Sequence, residues 1–211
     1  MADQLIFYTN PMSRGQIVRW MLEEVGQPYE TEILGYADSM KSPAYLAINP
    51  MGKVPAIKHG DTVVTECAAI CAYLADAFPE AGLAPPVTSK ARGPYYRWLF
   101  FAAGPVEAAT SNKSAGFIPA PEQGRMFGYG SYEQMLDALE YAVTEKDYIA
   151  GDAFSAADVY AGSQIDWGLM FKSIESRPAF EAYAAKLRER PAYKKAKAID
   201  GALIAQMQAQ G

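Results

Sequence analysis

Along residues 1–80 the spacing of apolar positions changes repeatedly, whereas beyond residue 95 it keeps a helical period. Gln4-Leu-Ile-Phe-Tyr8 is short and β-prone and runs into Asn10-Pro11, which predicts a buried strand ending in a turn. From Ser13 to Val25 the apolar residues Ile17, Trp20, Met21 and Val25 share one helical face, and Gly26 with Pro28 marks the stop. Tyr29 to Leu34 alternates as a second strand. Ser42 to Ala47 predicts a short helix ahead of the turn Asn49-Pro-Met-Gly52. Lys53 to Lys58 and Thr62 to Thr65, joined through Gly60-Asp61, read as a hairpin. Glu66 to Phe78 supplies a third helix through Ile70, Tyr73, Leu74 and Ala77, and Pro79 ends it. The predicted order is βαβαββα.

Residues 79–94 hold four prolines and two glycines with no apolar period, so 81–94 reads as a linker between a domain at 1–80 and a second at 95–211. Every later segment is helical. One helix runs from Tyr95 to about Ser111 and is broken or kinked at Gly104-Pro105; another runs from Ser131 to Lys146. Ser155 and Asp158 form a capping box ahead of a helix reaching about Phe171. Pro178 suits the first turn of the next helix, and Pro191 opens or separates a last one. Ala115 to Gly130 has no period and is rich in Gly, Pro and aromatic residues, which predicts a long surface loop that covers something. The fold class is α/β followed by all-α.

Composition acts mainly by exclusion. With 211 residues, 50% hydrophobic and 20% charged, the chain is too apolar for global disorder. No apolar run approaches a membrane span, and Met-Ala-Asp-Gln lacks the order of a signal peptide, so a cytoplasmic protein without membrane partners is expected. The net charge of -5 lies wholly in residues 1–80, which hold ten acidic and five basic side chains; an acidic chain gains no general attraction to nucleic acid. Cys67 and Cys71 lack Cys-x-x-Cys spacing and have only His59 for company, which disfavours a dithiol oxidoreductase and a metal site.

Three places carry chemistry. A helix beginning near Ser13 points N–H groups and its positive dipole end at a place where an anion could sit, with a hydroxyl beside it; Ser13 with Gln16 also reads as a capping box. Val54-Pro55 fits an edge strand, a bulge or a cis turn, and a cis bond would present the Val54 backbone N–H and C=O as a pair. Thr65-Glu66-Cys67 stands where the hairpin gives way to a helix, so N–H groups can hold a carboxylate while Glu66 holds an amine; alternatively Glu66 is an acid in a first turn, and the cysteines are small helix residues.

Taken together, Asn49-Pro-Met-Gly-Lys-Val-Pro55 and Thr65-Glu-Cys-Ala-Ala-Ile70 resemble the glutathione-site pattern of the glutathione S-transferase family. Asn10-Pro-Met-Ser-Arg-Gly15 resembles the first turn of its serine-type bacterial cytosolic members, and Phe154-Ser-Ala-Ala-Asp158 its helical-domain cap. The resemblance implies a thioredoxin-like N-terminal domain joined to an all-helical domain that binds the second substrate. Glutathione, the co-substrate, would lie extended with its cysteinyl backbone on Val54 beside a cis Pro55. Glu66 would take the γ-glutamyl amine and Cys67, where the family usually has Ser, the γ-glutamyl carboxylate. Lys41 and Lys53 resemble residues aimed at the glycine carboxylate. Ser13, with Asn10 as a neighbouring amide, would donate to the thiolate; Tyr8 lies two residues too early for the tyrosine slot of other classes.

The function implied is a detoxification enzyme, a homodimer without metal, that activates the glutathione thiol and adds it to a hydrophobic electrophile or substitutes a leaving group there. A non-catalytic protein-interaction module on the same fold is the alternative of another class. Reduction by a catalytic cysteine is the reserve enzyme reading, against which Arg14 rather than Cys follows Ser13. Tyr95, Phe101, Glu107 and Phe117 are candidates for lining the second-substrate pocket.

Overall fold

The computed structural model describes residues 3–210; Met1, Ala2 and Gly211, which bear on the signal-peptide reading and on the outer domain ends, lie outside them. Its sheet has four strands in the order β2-β1-β3-β4. β1 (Leu5–Thr9) pairs in parallel with β2 (Glu30–Ile33) and antiparallel with β3 (Ala56–His59), which forms a hairpin with β4 (Thr62–Thr65). Parallel pairing of β1 with β2 requires a crossover, supplied by α1 (Gly15–Val25). α2 (Pro43–Leu46) and α3 (Cys67–Ala77) complete the predicted order, with a 3₁₀ turn at Ser39–Lys41 that the apolar pattern does not announce. Phe7 and Ile57 on the sheet, Val18, Met21 and Leu22 on α1, and Ile70 and Leu74 on α3 are all buried. This α/β arrangement is thioredoxin-like.

The later residues are helical: α4 (Arg92–Phe101), α5 (Glu107–Ser114), α6 (Tyr132–Thr144), α7 (Ala156–Met170), α8 (Pro178–Arg188) and α9 (Pro191–Gln210). The break expected at Gly104-Pro105 is a π-helical turn, Ala102–Val106, which joins α4 to α5. Proline has no N–H for the α-helical ladder, and a widened turn accommodates the loss. The expected surface loop carries a 3₁₀ segment, Pro121–Met126.

Asp158 explains the start of α7. Its Oδ2 accepts from the Ser155 N–H (2.8 Å) and Oγ (2.9 Å), while its Oδ1 accepts from the Ile149 N–H (2.8 Å) and from the Tyr183 hydroxyl. Four donors converge on one fully buried carboxylate. Burial raises its pKa above the ordinary carboxylate range against the lowering effect of these bonds.

The chain divides into two compact units, one comprising residues up to Ala81 together with Arg190 onward, the other Gly82–Glu189. The sequence assigns all of 95–211 to the helical domain; in the structure α9 packs on α1. Arg190 pairs with Glu24 (2.5 Å), Lys195 with Glu23 (2.6 Å) and Asp200 with Arg19 (3.2 Å), and Tyr193 meets Trp20 edge to face. The helical period of α9 identifies a helix and leaves its packing partner open.

Candidate glutathione site

The turn from β1 into α1 is built on Asn10. Its side chain is buried, donates from Nδ2 to the Leu34 carbonyl (2.8 Å) and accepts at Oδ1 from the Met12 N–H (2.9 Å). It therefore ties the turn to the end of β2. Its backbone carbonyl accepts from the Ser13 N–H (3.0 Å) and hydroxyl (2.6 Å). Ser13 Oγ in turn accepts from the Gly15 N–H (2.9 Å). Ser13 thus satisfies the first N–H of α1 from just ahead of its N-cap, Arg14, and the reciprocal box is not formed: Gln16 Nε2 donates to the Pro11 carbonyl (2.6 Å), and its Oε1 accepts from Lys197 (2.8 Å). A serine hydroxyl has one proton that rotates about the C–O bond, so Ser13 can swing that proton from the Asn10 carbonyl to a ligand sulfur while Gly15 remains bonded to its oxygen.

Gly15 is required by close approach. A Cβ there would lie 1.9 Å from Thr9 Oγ1 and 3.0 Å from Ser13 Oγ, so the absent side chain lets the first turn of α1 close on the end of β1.

Tyr8 stands on β1 opposite Ala56, and its ring lies 5.7 Å from that of Tyr45. It packs with Met40, Tyr45 and Ala56. Burial, and secondarily the charge of Glu32, raises its pKa, so it stays a protonated strand residue.

Before Val54 the chain is braced. The Lys53 carbonyl accepts from the Tyr45 hydroxyl (2.6 Å) and from Asn49 Nδ2 (2.8 Å), and Asn49 Oδ1 accepts from the Met51 N–H (3.1 Å). Lys41 Nζ donates to the Gly52 carbonyl at 2.7 Å. Gly52 has φ of 58°, and a Cβ there would approach the Met40 carbonyl to 2.9 Å. Val54-Pro55 is cis. The Val54 backbone N–H and C=O have no backbone partner among the described residues. Asn49, Gly52 and Tyr45 are positioning residues that the residue-by-residue reading left without a role; the signal for the first two was the Asn-Pro-x-Gly motif itself. The hairpin strand is shorter than predicted, because Lys53–Pro55 stays outside β3.

Glu66 is the residue before α3 and has φ of 68° and ψ of 117°. A non-glycine residue there carries a backbone strain of about 1–3 kcal/mol, which persists where surrounding structure enforces it. Its side chain is exposed. Cys67 is buried at the first position of α3, and its thiol donates to the Arg14 carbonyl over 3.7 Å, linking the heads of α3 and α1. Cys71 is fully buried, and burial raises its thiol pKa well above the ordinary value, so it is an inert core residue. Lys53 is exposed.

The first unit thus brings together Ser13, Glu66 and Cys67 through the heads of two helices, and sets Lys41 against the braced turn before Val54. In the second unit Tyr95 lies in the core rather than on a surface, Phe101 packs edge to face on Trp98 (5.4 Å), Glu107 accepts from the Tyr160 hydroxyl (3.5 Å) and Phe117 is exposed beside a cavity.

The four-stranded sheet with its crossover helix defines a class of fold, the thioredoxin-like one. Comparison with known proteins narrows it. The family model of the glutathione S-transferase N-terminal domain matches residues 12–77, and that of the C-terminal domain matches residues 130–191. Glutathione S-transferase GstA of Escherichia coli O157:H7 is 30% identical over 164 residues, 74% of this chain and 78% of the relative. Glutathione S-transferase F10 of Arabidopsis thaliana is 32% identical over 150 residues, 65% of this chain and 68% of its own. Among solved structures, a sphingomonad glutathione S-transferase complexed with glutathione is 30% identical with a TM-score of 0.76, covering 93% of this chain and 98% of its own. The chain belongs to the glutathione S-transferase family and is a glutathione transferase.

Among the described residues no helix is long and apolar enough to cross a membrane.

Proposed function

We propose that the first unit holds glutathione extended across the heads of α1 and α3 and activates its thiol for attack on a hydrophobic electrophile. The observation that carries this reading is Glu66, a strained, exposed acid at the head of an eleven-residue helix. Its carboxylate takes the γ-glutamyl ammonium. The γ-glutamyl carboxylate meets the first N–H groups of α3, Cys67 included, where the helix dipole favours an anion. Because the Cys67 thiol is directed at Arg14, the backbone rather than the side chain serves that carboxylate. The Val54 N–H and C=O pair with the cysteinyl backbone. Lys41, whose ammonium has two donors beyond the one given to Gly52, and Lys53 face the glycine carboxylate.

Ser13 then donates to the thiolate, and Asn10 acts through Ser13 by fixing the turn that presents it. Favouring the thiolate lowers the thiol pKa and raises the nucleophile fraction near neutral pH. The proton leaves to solvent, sulfur forms a bond to the electrophilic carbon, and the substituted electron pair departs with the leaving group or into the acceptor. No step calls on a metal. Detoxification in the cytoplasm by a symmetric homodimer completes the reading; it is supported by the family, and light scattering at twice 23.0 kDa is the expected result for the dimer.

Calorimetric titration with glutathione tests the site. Wild type should bind, and Glu66→Gln should weaken binding by about 1.5–3 kcal/mol, the usual contribution of a charged hydrogen bond. No binding at millimolar glutathione would defeat the proposal.

A further inference from the structure

Gln16, the second residue of α1, closes a bracket around the serine turn. Its Nε2 reaches back to the Pro11 carbonyl at 2.6 Å, spanning Ser13, and its Oε1 accepts from Lys197 of α9 at 2.8 Å. The two partners enforce one orientation of the amide. A carbonyl only accepts and an ammonium only donates, so a flipped amide would lose both bonds. A cationic donor on the amide oxygen also polarises the group and strengthens its N–H toward Pro11. Lys197 is itself aimed: its Nζ lies 5.4 Å from the ring centroid of Tyr193, one turn earlier on α9, and that ring is set edge to face against Trp20. Arg190, Lys195 and Asp200 meet Glu24, Glu23 and Arg19 along the body of α1, whereas Lys197 reaches its first turn.

The bracket matters when Ser13 changes partner. At rest the Ser13 hydroxyl donates to the Asn10 carbonyl and helps to close the turn. Once that hydrogen bond is redirected to a thiolate, the turn is held by the Ser13 N–H on the Asn10 carbonyl (3.0 Å), by Asn10 on Leu34 and by Gln16 on Pro11. We propose that Gln16 and Lys197 are positioning residues for thiol activation. Lys197 fixes the Gln16 amide, the amide holds the Pro11 carbonyl, and the turn keeps Ser13 Oγ in place while its proton faces sulfur. The last helix thereby sets how well the first helix activates the thiol. This role rests on the reading of Ser13 as donor to the thiolate.

The ultraviolet thiolate absorbance of bound glutathione against pH tests this in Gln16→Met, Lys197→Met and the double variant of the full chain. Lys195→Met is the control, because it removes an ion pair between the same two helices and leaves Gln16 its partner. Gln16→Met should raise the midpoint by about half to one pH unit, the size of one neutral hydrogen bond. Lys197→Met should move it in the same direction, and the double variant no further than Gln16→Met, since the two act in series. Lys197→Arg, which keeps a cationic donor, and Lys195→Met should both stay at the wild-type midpoint. In a Ser13→Ala background Gln16→Met should add nothing. Every variant should still saturate with glutathione, which shows that it folds; should Gln16→Met fail to do so, the Lys197 pair decides. A midpoint that moves in Ser13→Ala but stays in place in Gln16→Met and Lys197→Met overturns the positioning role alone. An equal shift in Lys195→Met overturns it in favour of general packing of α9. An unmoved midpoint in Ser13→Ala removes the donor itself, and the role with it.

Discussion

Arg19 and Asp200 are both buried and meet at 3.2 Å, joining the middle of α1 to α9. The guanidinium also donates to the Tyr29 hydroxyl (3.1 Å) and Thr31 Oγ1 (2.9 Å), and it lies against the Phe7 ring at 5.0 Å. Deleting one partner leaves a buried charge without its counterion. Asp200→Ala should therefore cost about 3–5 kcal/mol, whereas Arg19→Met with Asp200→Leu should recover most of that loss. Urea unfolding decides, and a single variant within about 1 kcal/mol of wild type would count against the pair.

The same pair sets a pH dependence. Burial raises the Asp200 pKa, outweighing the lowering by Arg19. The folded chain then holds this proton at pH values where the unfolded chain, with a carboxylate near about 3.9, has released it. Its contribution is complete below that value and falls as pH rises through the folded pKa. The stability of wild type relative to Asp200→Asn should thus decline from pH 4 upward. A difference that grows with pH would show that Arg19 prevails over burial.

Ser13→Ala removes two things at once, the bond to the Gly15 N–H and the donor offered to sulfur. Loss of the bond to the Gly15 N–H should lower stability by about 1 kcal/mol. Loss of a hydrogen bond to a charged sulfur, about 1.5–3 kcal/mol, should slow turnover at neutral pH by roughly one to two powers of ten. Ultraviolet thiolate absorbance of bound glutathione against pH separates the effects: its midpoint should move up in the variant. An unmoved midpoint would leave Ser13 only its structural bond to Gly15.

Gly15→Ala forces a methyl into the space of Thr9 Oγ1, with an expected loss of about 1–3 kcal/mol from overpacking. Thr9→Ala in the same chain should relieve much of it. Thermal melts of the two singles and the double test this, and simple additivity would mean that the contact does not set the cost.

The sequence made local structure legible where the period was unambiguous. Ile17, Trp20, Met21 and Val25 announced α1, and Asp158 three residues after Ser155 announced the head of α7. The candidate site was legible for a related reason: the Asn49-Pro-Met-Gly52 turn and the Glu66-Cys67 junction encode backbone geometry, and Gly52 does have positive φ. Long-range partners were hidden. Gln16 looked like half of a capping box because nothing nearby betrays Lys197, and α9 joined the wrong unit because Glu23, Glu24 and Arg19 lie far from it along the chain. Asn10 read as an available amide because the Leu34 carbonyl that takes its Nδ2 belongs to another turn.

The π-helical turn at Ala102–Val106 does more than absorb a proline. An α-helix advances about 100° per residue, and a π turn holds roughly one residue more, so everything beyond it is rotated by about that angle relative to an unbroken helix. α4 packs on α7, whereas α5 packs on α6. The wide turn acts as a hand-over, letting one run of helix show its apolar side first to one neighbour and then to another. Removing a single residue from this turn would bring the two halves back into phase and swing Ala109 and Lys113 off the face they now occupy, turning a one-residue change into a reorientation of the whole second half.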